Sequence, residues 1–239
     1  MFMTIKMQKI IIALLAVLMV AVVAVIIILD PEKSAAPAMS HDTQKYTLVI
    51  DAGHGGEDGG AVSPGGMIES YVNLDIAKRL EALAKFFGIT PVMTRTTDEI
   101  QYPAEMKTTR ARKNFDQAER VKLINSIPNA LLMSIHQNKF PDSRPRGSQV
   151  FYNKIEPSAE FASLAQQNLT SAIYPENRRL AAPADKDLYI PKNVDCPMIL
   201  VECAFLSNTV EAALLETPEF KIKIAQVLFC SYRQFQSAL

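Results

Sequence analysis

His54 and His136, two of only three histidines in the chain, each end a strand-like apolar run: Leu48-Val49-Ile50-Asp51-Ala52-Gly53-His54 and Leu131-Leu132-Met133-Ser134-Ile135-His136. A third run, Met198-Ile199-Leu200-Val201, delivers a carboxylate, Glu202. Buried strands that stop at acid, base or metal-binding side chains are how an open α/β sheet assembles a site at the carboxyl ends of its strands. Two imidazoles and a carboxylate are the ingredients of a catalytic zinc centre, which keeps three protein ligands and an open fourth position. Either histidine alone reads as an incidental strand cap. Together, with a glycine-rich loop around the first, they read as a site.

Seven of the nine glycines fall between Gly53 and Gly66. Their spacing fits neither a dinucleotide fingerprint nor a P-loop, and Glu57 and Asp58 would repel a phosphate. What remains is a loop that turns sharply and lets a substrate approach closely. Glu69 lies just beyond it, at the start of a helix, where the positive end of the backbone dipole favours an ionised carboxylate. The loop can fold Glu69 back toward His54, which makes it the best third ligand; considered alone, a glutamate at a helix start reads as a favourable cap, and its promotion rests on the rest of the motif. Glu202 leaves a core strand and so must pair, hydrogen-bond or face a polar cleft. A general base taking a proton from zinc-bound water suits it; a salt bridge to Arg95 or Arg120 is the structural alternative.

The elements that must position these groups alternate along the chain. The spacing predicts strands over Tyr46–Asp51, Ile89–Thr94, Ala130–His136, Gly147–Asn153, Asp187–Ile190 and Pro197–Cys203. Helices are expected over Glu69–Phe87, near Asn114–Ile127 after a polar stretch, over Ser158–Ile173, and from Thr217-Pro218-Glu219 onward. The last of these opens on an N-cap, a first-turn proline and an early acid. Such alternation predicts an α/β fold: one domain, over 46–239, with a mostly parallel twisted central sheet flanked by helices on both faces.

Ahead of that domain, Ile10 to Leu29 is unbroken apolar sequence, with Lys6 and Lys9 before it and Asp30 and Glu32 after. Twenty such residues span a hydrocarbon core of roughly 30 Å. Lysines on the N-terminal side leave residues 1–9 in the cytoplasm and the rest outside. The expectation is a transmembrane anchor over 10–29, a tether over 30–45, and a membrane-anchored catalytic domain on the extracytoplasmic side. A cleavable signal at Ala36-Pro37-Ala38 is the rival reading, although signal cores are shorter. Zero formal net charge gives nothing that suggests a nucleic-acid partner, which would normally meet a basic face, and with no tryptophan there is no indole platform for stacking. The three cysteines cannot all pair internally, and Cys196 and Cys203 lack zinc-ribbon spacing.

Four blocks, Leu48 to Gly56, Glu69 with Asn73-Leu74, Ser134-Ile135-His136-Gln137-Asn138, and Val201-Glu202-Cys203-Ala204-Phe205-Leu206-Ser207-Asn208, together resemble the signature of zinc-dependent N-acetylmuramoyl-L-alanine amidases. The similarity runs in order from about Tyr46 to Phe235. It implies that His54, Glu69 and His136 hold one zinc ion, that Glu202 is the catalytic glutamate, and that the substrate is peptidoglycan, cut between muramic acid and L-alanine. Arg120 and Asn125, in Arg-Val-Lys-Leu-Ile-Asn, resemble a further block of unclear chemical role. Ala52, Gln137 and Ala204 depart from the proline, small residue and glycine usual in the family, without removing a ligand or the base. The anchor and the absence of wall-binding repeats are most similar to the spore-cortex, germination-specific branch. A zinc peptidase acting on the stem peptide and a non-catalytic wall-binding protein are the alternatives.

Overall fold

The computed structural model describes residues 45–239 together with Ile12, Leu14, Leu15 and Val17, which are helical. The expected anchor over 10–29 and its flanking segments otherwise lie outside the described residues. Among the described residues no helix is long and apolar enough to cross a membrane. The chain divides into two units, Met1–Thr43 and Gln44–Leu239, and the second carries the elements that follow.

Strand β1 (Thr47–Ala52) leads through the glycine loop into α1 (Glu69–Phe86) and then β2 (Val92–Met93), α2 (Thr109–Asn125) and β3 (Ala130–Asn138). Next come β4 (Gln149–Tyr152), α3 (Ser158–Ala172), β5 (Ala182–Pro183), α4 (Tyr189–Asn193), β6 (Met198–Phe205), α5 (Thr209–Glu216) and α6 (Pro218–Ser237). The six strands form one sheet in the order β2-β1-β3-β6-β4-β5. Every neighbouring pair is parallel except β4 and β6, which run antiparallel. The expected mostly parallel α/β sheet is therefore present.

Burial on both faces explains why the central strands read as unbroken apolar runs instead of alternating ones. Leu48, Ile50 and Ala52 of β1, Leu131, Met133 and Ile135 of β3, and Ile199, Val201 and Cys203 of β6 join one core. That core also takes Ile76 and Leu80 of α1, Phe161 and Leu169 of α3, and Ile224, Leu228 and Tyr232 of α6. The intervening residues Val49, Leu132, Met198 and Leu200 face a smaller core with Ile124 of α2 and Ile190 of α4. Helices thus cover both faces, and the period of two assigns each strand residue to one of them. By that alternation Asp51, Ser134, His136 and Glu202 belong to the α2/α4 side, and the site is built there.

Three local expectations need correction, and two further elements appear. The helix expected from Asn114 begins five residues earlier, at Thr109, where the Thr108 hydroxyl accepts the backbone N–H of Ala111 and caps it. Its first turns carry charge and no apolar stripe, so periodicity could not reveal them. The strand expected over Asp187–Ile190 is instead the approach to α4, whose Pro191 has no N–H to give a ladder and is accommodated in a helix's first turn. The two-residue β5 and the helix α5, which Asn208 caps by accepting from Val210 and Glu211, were not expected. The strand expected over Ile89–Thr94 is confined to β2, two residues long.

Candidate active site

β1 ends at Ala52, and His54 follows in the left-handed region, with φ of 61°. Gly55 and Gly56 are also at positive φ, so the chain reverses within three residues, a path that a run of side-chain-bearing residues could hold only under strain. The glycine loop then returns: Glu69 N–H donates to the Ala61 carbonyl at 2.9 Å and Ser70 N–H to that of Gly59 at 3.0 Å. As the sequence suggested, this fold-back brings the first residue of α1 against His54.

The Glu69 carboxylate is almost wholly buried and fully hydrogen-bonded. Its Oε2 accepts the Ala61 N–H at 2.8 Å and lies 3.4 Å from His54 Nε2. Its Oε1 accepts from Asn73 Nδ2 at 3.2 Å and the Gln137 N–H at 3.1 Å, and lies 3.0 Å from His136 Nδ1. Burial alone would raise the pKa of Glu69, but the His136 hydrogen bond, the charge of both imidazoles and the Ala61 N–H pull it down to about 2. An ionised carboxylate inside the fold beside two imidazoles is a donor set suited to a divalent cation.

One nitrogen or oxygen from each of His54, Glu69 and His136 lies within 4.8 Å of the others, and no other such group of three occurs among the described residues. The imidazole rings meet edge to face, 4.9 Å between centroids. A side chain at Gly53 would displace the His136 ring, because a Cβ there would fall 2.2 Å from His136 Nε2. At Gly60 a Cβ would fall 2.5 Å from Glu69 Oε2. The two glycines therefore leave the space that the three donor side chains occupy.

Glu202 stands opposite His136, its register partner across β3 and β6. The ladder slips immediately afterwards, with Asn138 paired to Phe205. One carboxylate oxygen of Glu202 is buried without a hydrogen-bond partner among the described residues. Burial pushes this carboxyl up to about 7, with the His136 charge acting against the rise and Glu69 adding to it. A half-buried acid with one buried oxygen left unpaired beside a metal-type donor set, its pKa brought near neutrality, has the properties of a general base. The salt bridge to Arg95 or Arg120 is not formed; both arginines bind the backbone of the His54 loop instead.

These groups line one cleft of about 290 Å³. Lys113 and Lys139 stand on its rim, and Leu188, Tyr189 and Pro191 of the α4 region form its apolar wall. Sequence reasoning missed Asp58 as part of the site, using it only to argue against phosphate. Its Oδ2 lies 2.9 Å from His54 Nδ1 and 3.0 Å from Lys113 Nζ, which leaves His54 Nε2 facing Glu69. The spacing of four from His54 was the available signal. Asn125 lies elsewhere, joined to Asn193 and Asp195.

Residues 48–229 match the family model described as N-acetylmuramoyl-L-alanine amidase. The germination-specific N-acetylmuramoyl-L-alanine amidase of Bacillus subtilis (strain 168) is 36% identical over 183 residues, covering 76% of this chain and 76% of that protein. The amidase LytC of the same organism is 32% identical over 76% of this chain but only 34% of its own length. Among solved structures, the CwlD amidase from Clostridioides difficile, determined in complex with the GerS lipoprotein, superposes with a TM-score of 0.77 at 34% identity, covering 81% of this chain and all of that one. Sequence blocks, sheet topology and matched span agree: the chain belongs to the N-acetylmuramoyl-L-alanine amidase family.

Proposed function

We propose that this amidase cuts the amide between the lactyl group of N-acetylmuramic acid and L-alanine in peptidoglycan of the spore cortex. His54, Glu69 and His136 hold a single zinc ion in this reading, and Glu202 is the base. The observation that carries it is the buried, unpartnered oxygen of the Glu202 carboxylate, set opposite His136 in the cleft that the three donors line. When bound, zinc supplies Lewis acidity for the scissile carbonyl and the attacking water. Glu202 takes the proton from that water and returns it to the departing amine of L-alanine, so the acid and base steps use one side chain. Asp58 holds the Nδ1 side of His54 and so presents Nε2 to the metal. The α4 wall excludes water from one side of the cleft.

The spore-cortex assignment is supported by the similarity to the germination-specific enzyme of Bacillus subtilis. Residues 10–29 anchor the protein in this reading, with the catalytic domain outside the cytoplasm where peptidoglycan lies. Since the similar CwlD structure contains a lipoprotein partner, a lipoprotein at the same membrane surface is the partner class we propose.

Digestion of defined muropeptides by the isolated 40–239 segment tests the reading. The expected products, identified by mass spectrometry, are a free lactyl carboxylate and a peptide beginning with L-alanine. Fragments cut between amino acids would make the chain a peptidase instead. Binding without cleavage, unaffected by Glu202→Gln, would make it a wall-binding protein.

A further inference from the structure

Arg120 is one of the few charged side chains almost wholly buried in the fold. It lies on α2, some 66 residues from His54 in sequence, and touches none of the three clustered donors. Its guanidinium nevertheless donates to the His54 carbonyl at 2.6 Å and to the Ala52 carbonyl at 2.6 Å. The same group reaches Asp51 Oδ1 at 3.0 Å and Asp116 at 2.8 Å. Arg95 works beside it: it donates to the carbonyls of Ala52 at 2.8 Å, Gly53 at 3.1 Å and Ser70 at 2.8 Å. Three successive carbonyls, at residues 52, 53 and 54, are thus gripped by two guanidinium forks.

These three carbonyls belong to the turn on which His54 adopts its left-handed backbone. For a residue with a Cβ that conformation costs about 1–2 kcal/mol and persists only where the surroundings over-determine it. The forks are what over-determines it here. A planar guanidinium can satisfy Asp51 and two carbonyls at once; a lysine ammonium in the same place is a point charge without that geometry. Asp51, itself fully buried and held by Ser134 and Thr94, balances the charge that the fork brings into the core.

We infer that Arg120 is a positioning residue for the site: by holding the His54 carbonyl it fixes the left-handed turn and thereby aims the His54 imidazole at Glu69 and His136. This rests on the proposed metal reading for its consequence, but not for its geometry. It also gives the Arg-Val-Lys-Leu-Ile-Asn segment a physical task.

The test uses Arg120→Lys and, because a buried fork can be needed for folding, the paired replacement Asp51→Asn with Arg120→Met. The second removes the two most deeply buried charges together, which proteins tolerate far better than an orphaned one, and leaves Asp116, whose side chain keeps some contact with solvent. Two readouts are taken on full-length protein. In the chelator-treated protein, backbone chemical shifts of His54 report its φ; the wild type is expected to stay left-handed and both variants to leave that region. In metal titrations by competition with a chelating dye, zinc affinity is expected to fall about 10–100-fold in each variant. A variant whose His54 keeps the left-handed shifts overturns the proposal, as does one that binds zinc with wild-type affinity where the wild type binds it. Wild-type protein that binds no zinc would defeat the metal reading, and the His54 shifts would still decide the role of Arg120.

Discussion

His136 and Glu202 are register partners across the parallel β3–β6 pair, one peptide ladder apart in the centre of the sheet. Their side chains emerge on the same face because the strands are in register there. The imidazole and the acid are therefore both held by the two central strands of the sheet. Only His54 and Glu69 come from a loop and a helix start, and these are the two that the glycine loop and the buried arginines must hold.

Placing an unpaired acid there should weaken the metal-free fold in a pH-dependent way. The Glu202 carboxyl rises from 4.5 when free to about 7 in the fold. Below 4.5 both states are protonated and nothing is lost. Between these values the unfolded chain releases the proton and the folded one keeps it, so stability falls as pH rises, and the full penalty holds above about 7. Glu202→Gln removes it. In chelator, the variant should melt above the wild type at pH 8 and close to it at pH 4.5, a gain on the order of 1–3 kcal/mol at the higher pH. Parallel melting curves across that range would show that burial does not raise Glu202. With zinc present the same variant should lose turnover by about 10²–10⁴-fold.

Gly53 offers a steric test that leaves the donors chemically intact. Its φ is not in the left-handed region, so the backbone accepts alanine, but the added Cβ would sit 2.2 Å from His136 Nε2. The ring must swing away from Glu69. Gly53→Ala should fold, as judged by far-UV circular dichroism, and lose zinc to chelators at least 10-fold more readily. Unchanged metal retention would mean that the His136 ring has room the structure does not show.

Asp58 makes a milder version of the same argument. It touches His54 Nδ1 and not the shared donor space, so Asp58→Ala should weaken zinc binding about 10–100-fold without abolishing it. His54→Ala should abolish it. If dye-competition titrations rank the two variants equally, Asp58 acts as more than an orienting partner.

Much of this arrangement could be read from the sequence because core strands carry no other signal. The runs Leu48–Ile50, Leu131–Met133 and Met198–Val201 are apolar on every residue, which burial on both faces explains, and the polar residues that follow them stand out. Glu69 was legible for a similar reason, lying where a glycine-rich turn meets a helical stripe. What stayed hidden was whatever depended on distance in sequence. Arg120 and Asp51 are 69 positions apart, and within a charged helix nothing distinguishes a buried arginine from a solvated one. α4 was misread because Leu188 and Ile190 alternate as a strand would, while the deciding residue, Pro191, lies one place further on. α5 hid because its few apolar residues present no long stripe.

Asp51 supplies the final prediction, and its sign is opposite to that of Glu202. Burial would raise its carboxyl, but the Arg120 charge and the hydroxyls of Ser134 and Thr94 together bring it down from 3.8 to about 2. The unfolded chain therefore binds a proton more readily than the folded one between these values. The stabilisation is fully present above about 3.8 and drains away as pH falls through about 2. The Ser134 hydroxyl donates to Asp51 Oδ2 at 2.6 Å, a hydrogen bond to a charged group, whose removal costs about 1.5–3 kcal/mol. Ser134→Ala should lose that amount at pH 7 in urea unfolding, and its deficit should shrink as pH falls below 3.8, because protonated Asp51 needs the hydroxyl less. A deficit that stays constant down to the acid unfolding midpoint would show that Ser134 contributes by packing alone. Asp51 would then owe its ionisation to Arg120 and Thr94.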